Sequence, residues 1–291
     1  MLRRCTLCVV AVLASGTAAE AQRDPPLPPG RDPGGVAIAI LGTGIDYTLP
    51  EIARRLARDG EGELVGWDLV DNDNRPFRSS RAAPNAGTWG ASMTALGLEI
   101  GAPGRRIVPV RIDPDDPRSL ARAVAFLAQT RARIVVVPTW SRRQADWEPF
   151  RQAATHFKDL LFVVPADDEG IGASREPAWP AAFRLANALV VAASPADGGT
   201  PGQAGDGGTR TADALVALPP SETIGDPTPP RASLAAAVAA DALAGCWPRL
   251  IEAHRGEALK RALLAEAAKA AAREAKPVIA RCTADPAPAK R

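Results

Sequence analysis

The side chains able to do chemistry in this 291-residue chain are few and scattered. There are two histidines, His156 and His254, and four cysteines. His156 falls in a helical stretch before the apolar run "LLFVV", and His254 falls in a turn beside Gly256. The stretch "PNAGTWGASMTALG" (84–97) sets Trp89 among the smallest residues. Small residues allow a backbone or ligand to approach closely, so an indole at the centre of such a run needs a reason.

Two other stretches invite a ligand. "VAIAIL" (36–41) runs into Gly42-Thr43-Gly44, the start of a dinucleotide-binding fingerprint. The third glycine position holds Tyr47, and Pro50 interrupts before a helix can begin, so the close helix–strand packing of that motif is unsupported. Asp71-Asn72-Asp73-Asn74 offers oxygen ligands to calcium but lacks the glycine and distal glutamate of an EF-hand loop, and reads as a polar surface loop. No cofactor and no metal is expected.

The chain opens with a basic Met-Leu-Arg-Arg, an apolar run near Leu7 to Leu13, and a small-residue segment ending Ala19-Glu20-Ala21. This pattern predicts a signal peptide over residues 1–21, cut after Ala21, and an exported protein, periplasmic or secreted. An uncleaved leader is the alternative. Cys5 and Cys8 lie too early for a lipid-attachment site. No later stretch reaches the roughly 20 apolar residues of a membrane span. A formal net charge of +2, spread along the chain, argues against a nucleic-acid or membrane partner. Cys246 and Cys282 remain after cleavage and form a natural disulfide in an oxidising compartment; the alternative is two free thiols with Cys246 buried beside Trp247.

Residues 22–35, rich in proline and glycine, read as a linker. Apolar strand-length runs then alternate with helical patterns. The strands are "VAIAIL", "RIVPVRI", "IVVVPTW", "LLFVVPA", "ALVVAAS" and "ALVALPP". The helical patterns are "LPEIARRLARDG", "RSLARAVAFLAQTRA" and "EPFRQAATHFKD". Alternation of this kind implies a parallel sheet covered on both faces. From Ser233 the chain turns helical, and residues 277–291 read as a frayed tail.

In order, these segments resemble the subtilisin-like serine proteases. "VAIAILGTGIDYTLPEI" resembles the strand and turn that carry that family's aspartate, Asp-Thr-Gly-Ile-Asp. "AGTWGASMTALG" resembles its His-Gly-Thr-His-Val-Ala-Gly helix, and "GAPGRRIVPVRI" the strand that follows. "IVVVPTWS" resembles the substrate-binding strand ending Ser-x-Gly, and "FVVPADDEG" the segment with the oxyanion asparagine. "RASLAAAVAADALA" resembles the nucleophile helix, Gly-Thr-Ser-Met-Ala-Ala-Pro-His. The resemblance implies an α/β fold, a subtilisin-like three-layer sandwich with a central, mainly parallel sheet, over residues 36–276.

The same resemblance implies where chemistry would sit. A serine attacks, a histidine takes its proton, an aspartate orients the histidine, and a donor steadies the oxyanion. Here the aspartate slot is Gly42, the histidine slot Trp89 and the oxyanion slot Asp168; Ser233 alone matches. Glycine has no carboxylate, indole has no basic nitrogen, and a carboxylate opposes the charge that develops on the oxyanion. Without a base, serine is a poor nucleophile; Ser233 reads as a helix N-cap. Asp46 resembles the family's second, non-catalytic aspartate. Arg231-Ala232 replace Gly-Thr before the serine, Ser141 replaces the substrate-strand glycine, and Pro138 removes a donor from that strand. Trp89 is expected to fill the space left at Gly42, and Asp168 to pair with Arg231. The expectation is an exported, inactive homologue that binds or regulates an envelope protein or peptide. The alternative is a serine endopeptidase with weak or rerouted activity.

Overall fold

Strand β1 (Val36–Gly42) is apolar along its whole length and is buried from Ala37 onward on both faces. That pattern suits a central strand of a covered parallel sheet. The computed structural model describes residues 24–79, 93–101, 103–166, 177–194, 212–218, 231–270 and 277–280. Around β1 it assembles β2 (Trp67–Asp68), β3 (Arg105–Arg111), β4 (Ile134–Val136), β5 (Leu161–Pro165), β6 (Ala188–Ala193), β7 (Ala214–Val216) and β8 (Val278–Ile279). They form one eight-stranded sheet in the order β2-β3-β1-β4-β5-β6-β7-β8. Every pairing is parallel.

The helices are α1 (Pro50–Ala53), α2 (Met93–Glu99), α3 (Pro117–Leu127), α4 (Gln144–His156), α5 (Arg231–Cys246), α6 (Pro248–Ala253) and α7 (Gly256–Ala270). Alternate residues of the strands feed two cores. Ile38, Ile40, Leu161 and Val163 face α5 and α7, while Ala39, Leu41, Phe162 and Val164 face α3 and α4. The result is a three-layer α/β sandwich, as the sequence pattern implies. Helix α5 is buried from Ala232 to Ala244 and is rich in alanine, small enough to lie flat across β4, β5 and β6. Among the described residues no helix is long and apolar enough to cross a membrane.

Three local expectations change. "LPEIARRLARDG" gives only the single turn of α1, because the chain beyond it is drawn to the sheet. Ala57 donates to the Ile107 carbonyl (2.8 Å), and Ile107 donates back to Arg55 (2.7 Å). Residues 24–35, read as a linker, are irregular but fastened to the domain. The Pro25 carbonyl accepts from the Tyr47 hydroxyl at 2.8 Å, and Asp32 holds Arg106 Nη1 at 2.7 Å. At the other end, Val278 and Ile279, read as the start of a tail, pair with Leu215 and Val216 as an edge strand. Residues 1–23 and 281–291, with the predicted leader and Cys282, lie outside the described residues.

Candidate functional site

Of the predicted slots, Gly42 ends β1 and Ser233 bonds to the chain just beyond β4, so these two lie where strands of the parallel sheet end, the usual place for ligands in open α/β sheets. Gly42 is the last residue of β1 and lies opposite Arg111 of β3. Helix α2 packs on α5 through Leu96 and Ala237, so the segment after Trp89 comes against the helix that carries Ser233. Trp89 and Asp168 themselves lie outside the described residues.

The space beside Gly42 is filled. A Cβ built on Gly42 would lie 2.8 Å from Met93 Sδ and nearer still to its Cγ. Met93 is fully buried, and its sulfur accepts a hydrogen bond from the Gly44 N–H at 3.1 Å. The next residue, Thr94, accepts the Asp46 N–H through Oγ1 at 2.8 Å. Two adjacent side chains of α2 therefore clamp the turn after β1. The expectation that Trp89 fills this space falls on a residue outside the described ones. Sequence reasoning passed over Met93. It stands four positions after the Trp89 slot and one past the end of the His-Gly-Thr-His-Val-Ala-Gly pattern, so the resemblance assigned it no role; the available signal was a long, adaptable side chain following a run of small ones. Asp46 has the structural part expected of it: Oδ1 accepts from the Thr48 N–H (3.1 Å) and hydroxyl, holding the turn.

Ser233 is the third residue of α5 rather than its N-cap. It is 3% exposed, and its hydroxyl donates to the Pro138 carbonyl at 2.5 Å. The segment that the resemblance assigns to substrate thus accepts a hydrogen bond from the residue in the nucleophile slot. Farther along that segment, Ser141 pairs with Trp179 in both directions, Ser141 N–H to Trp179 O at 3.0 Å and the reverse at 2.9 Å. Its hydroxyl oxygen also accepts the Trp147 indole N–H at 2.9 Å. The Arg231 guanidinium donates to the Ser194 carbonyl at 3.1 Å.

The acidic loop resolves in the same way. Asp24, Asp68 and Asp71 bring carboxylate oxygens within 4.8 Å of one another. Arg111 Nη1 already lies between two of them, 2.7 Å from Asp68 and 2.6 Å from Asp71. Burial works against the Arg111 charge, and the bonds to Asp68 and Asp71 outweigh it and raise its pKa. Outside both places, Cys246 is disulfide-bonded, and its Sγ lies 3.8 Å from the Ala280 carbonyl oxygen.

Known proteins share this architecture. The nisin leader peptidase NisP from Lactococcus lactis superposes over 86% of this chain and 87% of its own, with a TM-score of 0.54 and 13% identity. A lanthipeptide protease covers 81% of each chain at a TM-score of 0.52 and 14% identity. A cold-adapted subtilisin-like serine proteinase covers 90% of this chain and 96% of its own at a TM-score of 0.50 and 15% identity. The chain has the subtilisin-like fold. At such identities the structural likeness is one of fold. A sequence match adds to it: a thermophilic serine proteinase from Bacillus sp. (strain AK1) is 31% identical over 108 residues, which span 35% of this chain and 25% of that protein. The subtilisin-like chain therefore matches about a quarter of its curated relative's length. No family model matches it.

Proposed function

We propose that this subtilisin-like chain does not hydrolyse peptide bonds and acts by binding, as an exported partner or regulator of an envelope protein or peptide. The observation that carries the reading is the Ser233 hydroxyl, buried and donated to the Pro138 carbonyl. A nucleophile must present its oxygen to substrate and pass its proton to a base. This hydroxyl instead serves a backbone acceptor, and indole at Trp89 supplies no base. Met93 beside Gly42 supports the same reading, since the orienting carboxylate is gone and its space is taken.

A fluorophosphonate probe and a casein-cleavage assay test this on the purified protein. No labelling and no cleavage are expected. Stoichiometric labelling that is lost in Ser233→Ala would overturn the reading in favour of a serine endopeptidase with rerouted chemistry. Export is tested by N-terminal sequencing of the protein from the envelope or medium, with a new N-terminus after Ala21 expected.

A further inference from the structure

The opposite end of the sheet holds a cavity of about 700 Å³, in the size range of small-molecule sites. Its walls are the first residues of β1 and β3, the residues leading into β4, the end of α5, and α6. Val36 and Gly42 mark the two ends of β1, so the cavity lies about 20 Å from the vestigial site at the strand rise of parallel sheets. Five arginines line it, Arg105, Arg106, Arg131, Arg133 and Arg255, against one acid, Glu252.

Two of these cations have carboxylate partners. Arg106 Nη1 is 2.7 Å from Asp32, and Arg105 Nε is 3.3 Å from Asp241. The other three have none within ion-pair distance among the described residues. Arg255 donates to the carbonyls of Ile251, Glu252 and His254, which anchors it at the end of α6. Arg133 is half-buried and makes one long hydrogen bond, 3.4 Å to the Ala132 carbonyl. Arg131 is exposed at the mouth. Burial and the neighbouring Arg255 charge both work against the Arg133 charge, with Asp159 offsetting part of this.

Like charges gathered on a low-dielectric wall repel one another and concentrate anions from solution. Guanidinium forks match the paired oxygens of phosphate groups. A single phosphate would leave most of this volume empty, and a di- or triphosphate group would reach several walls at once. We propose that this cavity is a binding site for a small, multivalent phosphate anion, held by Arg131, Arg133 and Arg255. The site is independent of the fate of Ser233 and of any peptide partner.

Isothermal titration of the whole protein with inorganic pyrophosphate and with tripolyphosphate, in phosphate-free buffer, tests this. One site per chain is expected, weakening as sodium chloride is raised. The double variant Arg131→Gln/Arg133→Gln is expected to lose at least about tenfold in affinity, and Arg133→Lys about threefold, because an ammonium keeps the charge but not the fork. Arg118→Gln, exposed on α3 and outside the cavity, is expected to bind as the unmodified chain does. The absence of saturable binding by the unmodified chain, or unchanged binding by both cavity variants, would overturn the proposal. If the double variant does not fold, Arg133→Lys alone decides.

Discussion

Met93 of α2 stands where a side chain on Gly42 of β1 would have to be, and its sulfur is bonded to the turn that follows that strand. The bare backbone at Gly42 and the side chain of Met93 are complementary in the packing. Restoring chemistry here is therefore a matter of volume as well as residue type. Gly42→Asp is expected to overpack the site and destabilise by about 1–3 kcal/mol. Combining it with Met93→Val should recover much of that loss. Urea unfolding of the single and double variants, read as a double-mutant cycle, checks this; independent, additive effects would contradict it.

Neither Trp89→His alone nor Gly42→Asp/Met93→Val alone is expected to give proteolysis, because each leaves other slots wrong and Ser233 turned to Pro138. Casein cleavage by Trp89→His would refute the account of the site.

Ser233→Ala is expected to cost stability rather than activity. It leaves the Pro138 carbonyl without its hydroxyl partner in a buried place, at about 1–3 kcal/mol. Denaturant midpoints of the two proteins measure this.

Acid should loosen the segment that precedes β1. Burial pushes the Asp32 pKa up, but the Arg58 N–H, Arg106 and the Gly34 N–H together hold it below the ordinary carboxylate value. A depressed folded-state pKa contributes stability above the unfolded value, and that contribution is lost as pH falls through the folded one. Asp32→Asn should therefore melt lower than the unmodified chain at pH 7. The gap should close as pH drops below about 3.9, the reference value for aspartate. Thermal melts at stepped pH check the sign.

Cys246 is disulfide-bonded and lies beside Ala280, two positions before Cys282. Non-reducing peptide mapping is expected to yield a Cys246–Cys282 peptide. Cys282→Ser should lower stability by about 2–4 kcal/mol and free β8 from the sheet edge.

The alternation of apolar strands and amphipathic helices made the parallel sheet legible, since a strand buried on both faces must be apolar throughout. The order of segments also placed Gly42 at the end of β1 and Ser233 on the buried helix, because motif spacing follows connection lengths. Short-range pattern misled where long-range pairing won. The helical spacing after Pro50 gives way to bonds with β3 some fifty residues on. Likewise Ser233 looked like a cap, because local composition shows a small polar residue near a helix start but not which residues the helix includes.

By itself, then, the sequence determined what this protein lacks: residue identity fixes the absence of a carboxylate at position 42 and of a basic nitrogen at position 89. Tertiary structure alone decided what stands in their place. Met93 lies fifty-one positions beyond Gly42, Pro138 ninety-five before Ser233, and Arg255 more than a hundred beyond Arg133. Only packing brings such residues within van der Waals or Coulomb range, and those interactions depend on distance through space rather than along the chain.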